Sequence, residues 1–202
     1  MQSSKGLICY CLGLLSVILI IEIMIIVITF NPNYRIFYHI VSLLGVWTGK
    51  EYFNSFMIIT GILQIPFFLV LTINFKKIKE IKSVVRYSAF ISGIIFCLSE
   101  VSVGVFPIQQ GLFLAHAQAA FFFFHSSIFT ILLFSILLLH DTNKKIPAYV
   151  GFTVVLLIIN FQFWRGGLFE WIAILSMYFW IALTSIYFII ELTVSKSKIR
   201  EN

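Results

Sequence analysis

Six long apolar runs, separated by short polar segments, constrain this chain more than any other feature. They cover about residues 7–30, 54–75, 84–105, 112–139, 148–164 and 168–192. A helix of ~20 apolar residues is long enough to cross a bilayer. The chain is 60% hydrophobic and 11% charged, which is too few charges for the water-facing surface of a soluble domain. We therefore predict an all-α, polytopic membrane protein: a six-transmembrane-helix bundle that forms a single domain over residues 1–202.

The first apolar run has a competing interpretation as a cleaved signal peptide, with Lys5 in its charged region. We expect a retained helix instead, because the run is too long and no small-x-small cleavage site follows it. Asn31-Pro32-Asn33 ends the run, and a long aromatic-rich connection leads to Phe53. Such a length favours a functional segment or a short interfacial helix.

The positive charges predict the orientation of the bundle. With both termini on one side, eleven Lys and Arg residues fall on that side and three on the other. Because basic residues collect in cytoplasmic loops, both termini are expected in the cytoplasm of a multi-pass protein of the cell membrane. Clustering at helix ends also argues against nucleic acid as a partner. The side of the termini carries Lys5, Lys76, Lys77, Lys79, Lys82, Arg86, Lys144, Lys145, Lys196, Lys198 and Arg200, and the other side carries Arg35, Lys50 and Arg165.

Glu22 in the first apolar run and Glu100 in the third are carboxylates that lie at depth in the membrane. A charge inside a membrane costs at least ~2.5–3.5 kcal/mol, so each is expected to be neutral, paired or facing a wet cavity. We accordingly expect Glu22 to point into the bundle. His116 lies at nearly the depth of Glu100, across a short corner at Phe106-Pro107, so we predict that these two side chains hydrogen-bond and line an outward-opening pocket. The alternative is a purely structural pair that locks two helices.

Further polar residues complete the candidate pocket: Ser42, Asn54, Gln118 and His125. Asn54 has a competing role as the N-cap of the second helix, and His125 as a polar group satisfied inside the bundle.

His116 and Gln118 lie on different faces of the fourth helix, which favours a central place for that helix. Small-residue stripes are expected to let helices approach closely, with the third-helix stripe making room for the fourth helix. These stripes comprise Asn54, Gly61, Gln64 and Thr72 on the second helix and Gly93, Cys97, Glu100 and Gly104 on the third.

Several short motifs occur in a fixed order: Ser42-Leu43-Leu44-Gly45, Phe53-Asn54-Ser55 with Gly61, Gly104-Val105-Phe106-Pro107, then His116 and Phe123-Phe124. In this order the chain resembles an uncharacterised family of six-span prokaryotic membrane proteins similar to the Frag/DRAM/Sfk group. The resemblance covers nearly the whole chain and implies a six-helix bundle with no established activity. Leu43 stands where the family usually has an acidic residue. Relatives in eukaryotes imply work on lipids or membranes, by analogy.

Three classes of function remain open on the sequence. An intramembrane metal hydrolase is disfavoured, because His116 and His125 point to different helix faces and no metal-ligand or nucleophile motif is present. A small-solute or proton-coupled transporter would use Glu22, Glu100 and His116, although few ionisable groups continue the path towards the cytoplasm. We slightly favour a protein that binds or handles membrane lipid through an outer polar pocket. No cofactor or metal is expected, and the oligomeric state stays open.

Overall fold

The computed structural model describes residues 2–75, 83–141, 144–164 and 166–200, with side chains described between Lys5 and Val194. Within these ranges the chain forms six α-helices and no strand. Every helix is long and apolar enough to span a membrane, which confirms the predicted all-α, six-helix, multi-pass bundle. The helices are α1 (Gln2–Thr29), α2 (Lys50–Asn74), α3 (Ser83–Val105), α4 (Phe113–Leu139), α5 (Lys145–Phe163) and α6 (Gly167–Arg200).

The helices form a closed ring in which each packs mainly against its neighbours in the chain, and α6 closes the ring against α1. Because six successive spans alternate in direction, both termini lie at the same end of the bundle. We call this the termini end. The predicted central position of α4 is wrong, since α4 packs between α3 and α5. Its second polar face instead carries Gln118, which is exposed.

Glycines bring α2 and α3 together along the two predicted small-residue stripes. A Cβ atom on Gly61 would lie 2.8 Å from the carbonyl oxygen of Cys97, and one on Gly104 would lie 2.6 Å from that of Asn54. Backbone therefore meets backbone at both crossings, which only glycine permits. The third-helix stripe thus makes room for α2, and the expectation that it receives α4 is wrong.

The segment Phe30–Gly49, which we call the cap, covers the end of the ring opposite the termini. It contains the predicted short helix, a 3₁₀ turn at Val41–Gly45. Trp171 on α6 donates a 3.0 Å hydrogen bond to the Tyr34 hydroxyl, which in turn donates to the carbonyls of His39 and Ile40. Burial raises the pKa of Tyr34 to about 12, so this hydroxyl remains a neutral donor over the physiological range.

A buried cation joins the helices at the termini end. Lys144, only 6% exposed, contacts Asp141 and lies 3.0 Å from a carboxylate oxygen of Glu191 on α6. Its ammonium group also sits 4.5 Å from the centre of the Phe188 ring.

Several of the charges from which the orientation was predicted lie outside the described residues or side chains: Lys76, Lys77, Lys79, Lys82, Arg165, Lys196, Lys198 and Arg200.

Candidate functional site

Glu100 is the most deeply buried acidic group of the described chain, with no exposed surface. Thr60 donates to its Oε1 at 2.6 Å, Tyr178 at 3.0 Å and the Gln64 amide at 3.5 Å. These donors come from α2 and α6, so the carboxyl group joins three helices. No group of the described residues donates to Oε2. One oxygen is thus saturated, while the other is left available.

A second buried carboxyl group, Glu170, lies in the first turn of α6 beneath the cap. It is 5% exposed. Its Oε2 accepts a 3.2 Å hydrogen bond from the backbone N–H of Val41, and its Oε1 accepts one of the same length from the Ser42 hydroxyl. Glu170 therefore holds the 3₁₀ turn of the cap against the mouth of the ring.

A small cavity of about 20 Å³ lies beneath the cap; Glu170 lines it, whereas Glu100 and His116 do not. Its polar lining comes from Ser42, Glu170 and Tyr178, and the rest is apolar. A cavity of ~10–15 Å³ is enough for one water with polar partners, so this one has the size and lining to hold a single water molecule. Tyr178 also donates to Glu100, so this side chain lies between the cavity and the buried carboxyl group.

The inward face of α6 continues this polar track towards the termini. Glu170, Tyr178 and Ser185 are all buried and follow one another at intervals of roughly two helical turns. The hydroxyl groups of Ser185 and its neighbour Thr184 are buried and have no hydrogen-bond partner among the described residues. Thr130 and Ser135 on α4 share this property. Nearer the termini end, Asn74 of α2 hydrogen-bonds the Tyr10 hydroxyl of α1.

The predicted hydrogen bond between Glu100 and His116 is not formed among the described side chains. Glu100 faces the donors of α2 and α6, whereas His116 Nδ1 lies 2.7 Å from the carbonyl oxygen of Phe106. The contact with Phe106 stabilises the corner between α3 and α4. Similar depth on two adjacent helices does not determine which way each side chain points around its helix.

Glu22 is exposed on α1, so the prediction that it points into the bundle is wrong. The buried face of α1 carries Tyr10, Val17, Ile20 and Met24, and Glu22 lies on the other side of the helix. It has no hydrogen bond or ion pair with any described residue. An unpaired charge inside the membrane is costly, and nothing in the described part of the chain offsets that cost.

Ser42 lies in the cap and Asn54 lies near it on α2, and each has a defined partner. Ser42 bonds Glu170 and lines the cavity. Asn54 donates from its amide to the carbonyl of Gly45 at 3.0 Å. It is not an N-cap, because α2 begins four residues earlier at Lys50. Asn54 thus ties the cap to α2 and does not line the cavity.

Gln118 and His125 lie away from this cavity. Gln118 is exposed. His125, half-buried, stacks on Phe121 with ring centres 3.9 Å apart and lines an apolar groove of about 550 Å³ between α3 and α4. The expectation that His125 is satisfied inside the bundle is wrong: its Nδ1 lies 2.8 Å from the Phe121 carbonyl of its own helix, and the side chain borders the outer groove.

Sequence reasoning missed Glu170 and Tyr178. Glu170 falls three residues after a Gly-Gly corner, where an acidic residue resembles ordinary helix-end chemistry. Its position inside the sixth apolar run was a signal that could have identified it. Nothing in the sequence distinguishes Tyr178 from the other aromatic residues of α6.

Within the described residues, no three His, Cys, Asp or Glu side chains come together as a metal-binding group. Comparison with protein families, curated proteins and solved structures finds no match for this chain. The resemblance to the Frag/DRAM/Sfk group stays a prediction. The motif residues that carry it have local roles here: Asn54 and His116 bond backbone carbonyls, and Gly104 packs against α2.

Proposed function

We propose that this protein is a proton-linked membrane carrier in which Glu100 takes up and releases the proton. One observation carries the proposal: Glu100 is wholly buried within a spanning helix, yet one of its oxygens has no donor among the described residues. Ionisable groups buried inside membrane bundles commonly mark proton relays and substrate pathways. Three donors on Oε1 hold the carboxyl group in place, and one of them, the Tyr178 hydroxyl, is positioned to pass its proton to that oxygen.

A route from the cap to Glu100 uses groups that both donate and accept. A proton arriving at Glu170 passes to a water in the cavity and then to the hydroxyl oxygen of Tyr178. The phenol releases its own proton to Glu100 in the same step, because a tyrosine hydroxyl has a donor and acceptor sites together. The net change is one proton taken from the cap side and one carboxyl group protonated at Glu100.

Release towards the termini requires the helices to repack past Ser185. Gly13 lies at this level: a Cβ there would be 2.9 Å from the Ser185 hydroxyl oxygen and 2.7 Å from the Phe67 ring. The absence of a side chain on Gly13 lets Phe67 of α2 and Ser185 of α6 pack closely against α1 at this level. Ser185 and the Tyr10–Asn74 pair then supply the polar groups of the second half-route.

The size of the inner cavity favours a proton over a lipid head group at this site. A volume of about 20 Å³ accommodates a water molecule and nothing larger. Lipid recognition through an outer pocket, as favoured by the sequence, would need a far larger space around Glu100 and Ser42.

Proton flux into liposomes tests the proposal. The purified protein is reconstituted with a pH-sensitive dye inside the vesicles, and a pH gradient is imposed with valinomycin and potassium to clamp the voltage. We expect flux above that of empty vesicles, and a loss of at least tenfold in Glu100→Gln. Glu51→Gln is the matched control, because Glu51 is exposed at the start of α2. Equal flux through folded wild-type and Glu100→Gln protein would refute the proposal.

A second candidate function, lipid binding, is favoured by the groove between α3 and α4. His125 uses Nδ1–H to donate to a carbonyl, so Nε2 can face the groove as an acceptor. The groove is about 550 Å³ and mostly apolar, in the range of ligand sites. The ligand class that fits is a lipid whose acyl chain fills the groove and whose hydroxyl group donates to Nε2, such as a diacylglycerol.

Photo-crosslinking tests this second function. A diacylglycerol carrying a photoreactive acyl chain is irradiated with the protein in liposomes, and the labelled peptides are identified by mass spectrometry. We expect labelling on α3 and α4 that falls severalfold in His125→Phe but not in His140→Phe, an exposed histidine at the end of α4. Labelling spread evenly over all helices would count against a lipid site.

A further inference from the structure

Glu22 is a carboxyl group on the outer surface of a membrane-spanning helix. It lies seven residues before the end of α1, which is about 10 Å along the helix axis. Ile18 and Ile25, one turn away on either side, are 52% and 58% exposed. A carboxyl group surrounded by hydrocarbon is costly unless it meets a hydrogen-bonding partner. No described group of the same chain supplies one.

The exposed face around Glu22 has the pattern of a helix-pairing seam. Exposed residues recur at alternating intervals of three and four along almost the whole helix, which is the spacing of the contact positions in a coiled coil. We call this set the α1 seam. It consists of Ile8, Cys11, Leu15, Ile18, Glu22, Ile25 and Thr29.

We propose that the α1 seam is the interface between two copies of this chain, which pair through Glu22. All copies insert in the same orientation, so a twofold axis normal to the membrane brings α1 against α1 in parallel. Glu22 of one copy then meets Glu22 of the other at the same depth by symmetry. Two carboxyl groups that share a proton satisfy each other, one as donor and the other as acceptor.

A second copy fits the seam better than a foreign helix does. A foreign helix would need a polar group at the depth of Glu22. In a twofold-symmetric dimer, the Glu22 side chain of the second copy is that group. A single polar residue within an apolar seam also sets the register and favours a dimer, as it does in coiled coils. The aliphatic residues on both sides of Glu22 provide the packing contacts. This interface lies on the outside of the ring and does not depend on the proposed proton route.

Cysteine crosslinking in liposomes tests the dimer with a residue that the chain already has. Cys11 is exposed on the seam, whereas Cys97 is buried. The full-length protein with Cys9→Ser is reconstituted at high lipid-to-protein ratio and oxidised with copper phenanthroline. We expect a disulfide-linked dimer that disappears with Cys11→Ser. Ile25→Cys, added to the protein that carries Cys9→Ser and Cys11→Ser, should restore the disulfide-linked dimer from the other end of α1.

Substitutions at Glu22 separate the proposed pairing from random collision. Glu22→Gln should keep the crosslink, because facing amides hydrogen-bond each other, and Glu22→Leu should lower its yield at least threefold. Leu156→Cys, on an exposed position of α5 and in the Cys11→Ser background, measures collision alone. The proposal is overturned if Cys11 crosslinks no better than Leu156→Cys, or if Glu22→Leu crosslinks as well as the wild type.

Discussion

Replacing Glu100 by leucine should destabilise the bundle in a way that a second substitution partly reverses. In Glu100→Leu, the Tyr178 hydroxyl and the Gln64 amide each lose their bond to the carboxyl oxygen. The Thr60 hydroxyl keeps an acceptor, since it also bonds the Phe56 carbonyl at 2.8 Å. A buried donor left without a partner costs about 1–3 kcal/mol, so two such donors give about 2–6 kcal/mol of lost stability.

The reversal comes from removing one orphaned donor. Adding Tyr178→Phe to Glu100→Leu deletes the hydroxyl group and should recover about 1–3 kcal/mol, although Tyr178→Phe alone is destabilising. Glu100→Gln should cost less than Glu100→Leu, because its amide oxygen accepts the same bonds. The four proteins are compared by reversible unfolding in mixed micelles of detergent and sodium dodecyl sulfate. Simple additivity of the Glu100 and Tyr178 substitutions would refute the contact between them.

Three further predictions concern other parts of the bundle. Gly104→Ala places a methyl group against a backbone carbonyl of α2, so we expect a loss of about 1–3 kcal/mol, with Gly6→Ala as a control whose methyl group meets only ordinary side-chain contacts at 3.7 Å. Lys144→Met removes the cation that Asp141 and Glu191 contact, and because these side chains are 25% and 50% exposed we expect a loss of about 1 kcal/mol, while exposed Lys145→Met is nearly neutral in the same unfolding assay. Burial raises the pKa of Tyr34 to about 12, whereas an unfolded tyrosine ionises at about pH 10. The stability that protonated Tyr34 contributes is therefore fully present below about pH 10 and is lost as the pH rises to about 12. Tyr34→Phe should reduce this loss of stability at alkaline pH, as measured by thermal melts.

The six-helix architecture was predictable because the bilayer imposes length and hydropathy on every span. The positions of the helices agree with the apolar runs, but several helices extend past them: α2 begins four residues earlier, at Lys50, and α6 continues eight residues further, to Arg200. The ring order was not predictable from hydropathy. An apolar face towards lipid and an apolar face towards the bundle have similar composition, so periodicity alone does not orient a membrane helix.

That same ambiguity explains the errors at the site. Glu100 was correctly placed in the bundle interior. Its hydrogen-bond partner was predicted on α4, the next helix in the chain, whereas its donors come from α2 and α6. Glu22 was placed inside because a charge in lipid is costly. The cost of a charge in lipid shows that Glu22 needs a partner, but it does not show whether that partner belongs to the same chain. Ser42 was found by motif order, whereas its acceptor Glu170 is 128 residues away in sequence.

The most direct test of the account follows the proton on Glu100 itself. Infrared difference spectra of proteoliposomes are recorded between acidic and alkaline outer medium, with the carboxyl C=O band as the signal. The account predicts a band that is absent in Glu100→Gln and develops more slowly in Tyr178→Phe, because the phenol relays the proton. Identical difference spectra for wild-type and Glu100→Gln protein would contradict the claim that Glu100 exchanges a proton with the outer medium.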